Sequence, residues 1–144
     1  MKKLDIDLGL EEYQINDAVI KLNPTDTVFL ERLSTAIDKM EGLQDRLQGQ
    51  IQAAKDDVAR YETFKQVKKE MEKVIDNLFE RPGINKEIFC GVSPYAIGSN
   101  AFPVWVNVLV PLAAEIDEVF EAAGDENNPK LQAYINKYSK IFDM

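Results

Sequence analysis

Between Pro24 and Arg81, apolar side chains return every three or four residues. They run from Phe29, Leu33, Ile37 and Met40 through Leu43, Leu47, Ile51, Ala54, Val58, Tyr61 and Phe64 to Val67, Met71, Val74 and Leu78. That period matches the turn of an α-helix and gathers the apolar groups into one stripe. Lys, Glu, Asp, Gln and Arg fill the positions between, and no proline interrupts the run before Pro82. Asn23-Pro24-Thr25-Asp26 marks the start. Asn23 caps the orphan backbone donors, Pro24 has its φ preset at the first helical position, and Asp26 sits near the positive end of the dipole. Asn128-Pro129 repeats the device for a last helix.

An unbroken helix over residues 24–81 would measure roughly 85 Å at 1.5 Å per residue, too long for a compact domain of this size. Gly42 offers a C-cap that would fold the stretch into a helical hairpin. Otherwise the stripe is buried against another copy or another protein, as in a coiled coil. The stripe crosses Gly42 in phase, which favours continuity, yet Tyr61, Phe64 and Val67 stand three apart, unlike a heptad seam. The expectation is a bent or segmented helix, with its partner left open.

Upstream, Leu4-Asp5-Ile6-Asp7-Leu8 alternates apolar and acidic residues, the period of a half-buried strand. Tyr13-Gln14-Ile15 and Ala18–Leu22 pair around Asn16-Asp17 as a hairpin or three-stranded piece. Such a piece is marginal alone and must pack on a helix or pair with another chain. Residues 82–102 read as a loop with one helical turn at Asn85–Phe89. A third helix opens at Pro103 and carries Trp105, Leu109, Leu112, Ile116, Phe120 and Ala123 on its stripe. Its first half is apolar on nearly all sides, which places it in the middle of the domain, and Pro111 predicts a kink. After a turn at residues 124–127, the last helix runs from Pro129 to about Phe142 with Leu131, Tyr134, Ile135, Tyr138 and Ile141 on one side. The fold class is mainly α, a single domain over residues 1–144. It divides into a β-hairpin (1–22), a long helical stretch (24–81), a loop (82–102) and C-terminal helices (103–142).

Composition adds constraints. The chain has 25 acidic and 17 basic residues, a net charge of −8. That balance opposes phosphate backbones and anionic lipid surfaces within a Debye length of roughly 10 Å, so neither nucleic acid nor membrane is an expected partner. The start Met1-Lys2-Lys3-Leu4 has no apolar signal-peptide core. The most apolar stretch, Phe102–Ala114, falls short of the roughly 20 residues that span a bilayer. The chain reads as cytoplasmic. Cys90 has no disulfide partner and reads as a small buried hydrophobe.

Catalytic chemistry has little to stand on. There is no histidine, which removes the commonest general base, nucleophile partner and metal ligand. Cys90 lacks an activating neighbour, and no phosphate-binding glycine motif occurs. No enzymatic activity and no cofactor are expected. No Lys or Arg falls between Lys86 and Lys130, while Glu115, Asp117, Glu118 and Glu121 do. Glu118 and Glu121 share a helix face, as do Asp117 and Glu121. They form a solvated side, a docking face for a basic partner, or a divalent-cation site. Asp125-Glu126-Asn127-Asn128 resembles a calcium loop in composition only. Tyr95, Phe102 and Trp105, beside a Gly/Ser/Pro loop, are either core or anchors of a protein interface. Tyr134 and Tyr138 read as core.

The chain resembles the small proteins encoded in the tail-assembly region of siphophages and prophages of Gram-positive bacteria, the tail assembly chaperones and their relatives. The resemblance rests on Asn23-Pro24-Thr25-Asp26 with Phe29 and Glu31-Arg32-Leu33, on Ile75-Asp76-Asn77-Leu78-Phe79, on Pro103-Val104-Trp105, on Glu115-Ile116-Asp117, and on Asn128-Pro129-Lys130-Leu131-Gln132 with Tyr134. It covers the chain from about Leu22 to Lys140 and departs most at the Cys90–Gly98 loop. It implies a chaperone that coats a long helical tape measure protein until tail tube subunits replace it, inside the bacterial host. Apolar stripes on such a client call for complementary stripes here, and self-association is expected. Two other classes compete: a structural or adaptor protein that oligomerises through its long helix, and an acidic inhibitor of a host defence protein. The last requires an array of carboxylates, whereas the long stretch alternates Lys with Glu.

Overall fold

The striped segment folds back on itself. In the computed structural model, which describes residues 1–124 and 128–143, α1 spans Thr27–Ala53 and α2 spans Asp57–Leu78. The chain is mainly helical, with an N-terminal hairpin, as its pattern predicts. The segmentation is present, but Gly42 lies inside α1 and the break falls at residues 54–56. Ala54 turns extended (φ −67°, ψ 133°) and its N–H reaches back to Ile51 at 3.3 Å. Asp56 then caps α2 by accepting the Ala59 N–H at 2.8 Å. The start of α1 is also displaced. Asn23 is occupied by the Thr25 N–H and hydroxyl at 2.9 and 2.6 Å, and its own amide donates to Leu8. The capping acceptor is therefore Asp26, which takes the Val28 N–H at 3.0 Å.

The two helices are antiparallel. Phe29 meets Phe79 with ring centroids 6.2 Å apart, Arg32 pairs with Glu80 at 2.9 Å, and Arg46 pairs with Glu70. Within the chain, then, most of the stripe is buried by its own hairpin instead of a long coiled coil, while Val58 and Tyr61 at the start of α2 stay 72 and 65% exposed. The opposite flank of α1 meets α4 (Val104–Ala122) and α5 (Pro129–Lys137). There Tyr134 donates to Asp38, and Tyr138 donates to Glu41 at 2.6 Å. Leu33, Ile37 and Met40 of α1, Val67, Met71 and Ile75 of α2, and Leu109 and Ile116 of α4 are at most 1% exposed. Each such side chain contributes about 1.5–3 kcal/mol relative to exposure. α4 runs through Pro111 as one helix, and its start needs no side-chain cap. The Val104 and Trp105 N–H groups donate to Ala96 and Pro94 at 2.7 and 3.0 Å, so the 90–101 loop satisfies the orphan donors of the first turn. Asn128 caps α5 as predicted, accepting from Lys130 and Leu131. The last helix ends earlier than expected and passes into a 3-10 turn, Ser139–Phe142.

At the other end, β1 (Glu11–Ile15) pairs with β2 (Ala18–Leu22), Tyr13 opposite Ile20. β2 turns Ala18, Ile20 and Leu22 inward and packs on α3 (Ile84–Phe89). The Asp76 carboxylate fixes the preceding turn by accepting from the Gly83 and Asn85 N–H groups and the Asn85 amide at 2.8–3.0 Å. Two expectations are overturned in this region. Leu4, Ile6, Leu8 and Leu10 form no third strand and stay 78, 72, 63 and 52% exposed, because the folded chain leaves them no partner. Cys90 is exposed, not buried, since it ends α3 in a left-handed conformation with φ 52°. Of the expected 124–127 turn and the calcium-like composition after it, residues 125–127 lie outside the described residues.

Candidate functional site

The aromatic residues singled out in the sequence are drawn together around Gln44 and Tyr138, mostly inside the protein. Trp105 is 1% exposed. Its indole N–H donates to the Gln44 side-chain oxygen at 3.1 Å, and its ring meets Tyr138 edge-on at 6.1 Å. This corrects its role as an interface anchor, since a fully covered ring presents no surface. Phe102, half-buried, also packs edge-on against Tyr138, at 6.1 Å. Tyr95 is half-buried and lies against Phe64 of α2, centroids 5.2 Å apart. Its carbonyl accepts from Gln44 at 3.4 Å. Tyr95 also lines a surface cleft, with Tyr61, Phe64, Lys65, Lys68 and Ser93.

Glu118 and Glu121 sit at the far half of α4, both exposed and apart from the aromatic group. Between them and the core, Asp117 is 6% exposed and accepts a hydrogen bond from Gln132, while its second oxygen has no partner among the described residues. Burial raises its pKa above the ordinary carboxylate value, the Gln132 bond opposes the rise, and Glu121 and Glu118 add to it. Among the described residues no group of three potential ligands is placed to hold a metal ion. Burial also raises the pKa values of Tyr134 and Tyr138, which donate to Asp38 and Glu41. These tyrosines act as neutral donors tying α5 to α1.

The surface that sequence reasoning missed is the open side of the α1–α2 hairpin. One end is a hollow of about 360 Å³ floored by Ala36, Val74 and Leu78. It continues into one of about 570 Å³ floored by Gly42 and Leu43. Arg32, Lys39, Arg46 and Lys73 stand over these floors against two carboxylates, Glu31 and Glu70. The wall is thus cationic in a protein of net charge −8. Arg32 and Arg46 are paired, whereas Lys39 and Lys73 form no salt bridge among the described residues. A Cβ on Gly42 would meet nothing within 4 Å. Glycine in a helix interior costs about 1 kcal/mol relative to alanine, and at Gly42 it leaves the floor low where Val28, Thr35 and Gly42 follow one another at heptad spacing. The only local sign of this groove was a glycine that does not end its helix.

Among the described residues no helix is long and apolar enough to cross a membrane. No family model, curated protein or solved structure matches this chain.

Proposed function

We propose that this protein is an assembly chaperone that holds an amphipathic helix of a client in the α1–α2 groove, the client being the tape measure protein of a phage tail. The observation that carries the reading is the groove itself, with its apolar floor, low centre at Gly42 and cations at Lys39 and Lys73 that form no salt bridge among the described residues. From Val28 to Arg46 it follows α1 for about 27 Å at 1.5 Å per residue, room for about five turns of a client helix. An apolar stripe would lie on the floor and acidic flanks would face the lysines, the helix-in-groove mode of recognition. The family resemblance, over residues 22–140, supports the assignment of the client. Surplus negative charge elsewhere keeps a loaded complex soluble.

Co-expression with a tape measure protein, followed by pull-down and light scattering, tests the reading. A soluble co-purifying complex is expected. A client that is equally soluble and unbound without this chain would sink it. Recovery of the protein at fixed stoichiometry in finished particles would favour a structural component instead.

A further inference from the structure

We propose that the N-terminal arm of one copy, Leu4–Leu8, lies in the Tyr61–Phe64–Tyr95 cleft of a second copy, with Asp5 and Asp7 against Lys65 and Lys68. Both halves of this contact are uncovered. The arm exposes Leu4, Ile6 and Leu8 at 78, 72 and 63%, and Tyr61 is 65% exposed at the cleft. The cleft holds about 590 Å³, within the range of about 300–1,000 Å³ typical of ligand sites. In an extended segment, alternate side chains point to opposite faces. Leu4, Ile6 and Leu8 would enter the aromatic floor, while Asp5 and Asp7 follow the rim about 6–7 Å apart. Lys65 and Lys68 are one helical turn apart on α2, a spacing of about 5–6 Å between their Cβ atoms. Among the described residues none of these four charges takes part in a salt bridge. The arm thus presents acidic groups at the spacing of two free lysines, in a chain whose net charge is −8.

The occupant must come from another copy, because the arm cannot reach its own cleft. Asn23 holds Leu8 by its carbonyl at 2.9 Å. A Cβ on Gly9 would come within 2.7 Å of the Asn23 amide, and Gly9 sits at φ 65°, so a side chain there would strain the backbone and crowd this clamp. The arm therefore leaves the molecule at the start of α1. Arg46 pairs with Glu70, so Phe64 lies beyond Arg46, toward the far end of the hairpin. From Asp26 to Arg46 is about 30 Å along the helix, whereas Leu4–Leu8 spans about 14 Å.

Sedimentation velocity of the full chain over a concentration series provides the test. The wild type is expected to associate, more weakly as salt rises. Ile6→Asp in the arm and Lys65→Glu with Lys68→Glu in the cleft should each raise the dissociation constant at least about tenfold. Ile6 and Lys65 are exposed and Lys68 is half-buried, so circular dichroism and the urea midpoint should confirm that each variant folds before its association is read. Exchanging the charges, Asp5→Lys and Asp7→Lys together with Lys65→Glu and Lys68→Glu, should restore association to within about threefold. A wild type that remains monomeric at about 1 mM, association indifferent to both single-site sets, or a charge exchange that restores nothing would overturn the proposal. Client binding is read separately by pull-down, so failure here leaves the groove untouched.

Discussion

Replacing Trp105 with alanine separates a core residue from an interface anchor. The ring is 1% exposed, packs on Tyr138, and donates its N–H to Gln44. Truncating a buried Trp to Ala costs about 3–5 kcal/mol through lost transfer energy and the cavity left behind. The unpartnered Gln44 oxygen falls within that range only in part, since removing one partner of a buried hydrogen bond costs about 1–3 kcal/mol on its own. With about 2.1 cal/mol/K per residue of unfolding entropy, 144 residues give a shift of about 3 °C in Tm per kcal/mol. Trp105→Ala should therefore lower Tm by about 10–17 °C, read at 222 nm because the variant loses its fluorophore. Trp105→Phe keeps most of the volume and should lose about 1–3 kcal/mol in urea titration. A Trp105→Ala protein that melts within about 3 °C of wild type while binding client poorly would refute the burial argument and return Trp105 to the surface.

Two further perturbations address the helical hairpin and the buried carboxylate. Asp56→Ala removes the acceptor of the Ala59 N–H and should cost about 1 kcal/mol, measured as a lower urea midpoint with an unchanged slope; no change would mean the break at 54–56 does not depend on this cap. At Asp117, burial raises the folded-state pKa above the unfolded value, so the folded protein holds that proton more tightly. The resulting stability is fully present below about pH 3.9, the ordinary carboxyl value, and is lost as pH rises through the folded pKa. Asp117→Asn should therefore be more stable than wild type at neutral pH, with the advantage shrinking on acidification; an advantage constant with pH would place the effect in packing and not ionisation.

Local chemistry announced more of the fold than of the site. The hairpin turn at Asn16-Asp17, the Asn128 cap, the stripes of α1 and α4 and the stripe of α2 from Val67 onward are all local patterns, and all are present, whereas Val58 and Tyr61 of the predicted stripe face outward. The break at 54–56 was hidden because Ile51, Ala54 and Val58 keep the stripe in phase across it. Its signal was Lys55-Asp56-Asp57, for aspartate favours caps over helix interiors. At the start of α1 the pattern gives the cap to Asn23 and the first turn to Asp26, whereas the cap falls to Asp26 because Thr25 occupies the Asn23 side-chain oxygen. Alternation over Leu4–Leu8 shows which face of a strand could be buried but not whether its partner lies in the same chain. The groove was illegible for a related reason. Its walls are polar residues that look like ordinary solvent positions until residues about thirty apart, such as Lys39 and Lys73, come to face each other.

Binding of an acidic amphipathic client helix to Gly42 variants tests the central claim most directly. A Cβ on residue 42 would meet nothing within 4 Å, so alanine there should not disturb packing. Gly42→Ala should raise stability by about 1 kcal/mol and leave binding within about threefold. Gly42→Trp should keep the fold, fill the low centre of the groove and weaken the client at least about tenfold, measured by fluorescence anisotropy of a labelled client segment. Equal affinity for the wild type and a folded Gly42→Trp protein would contradict the groove as the place where a client helix lies.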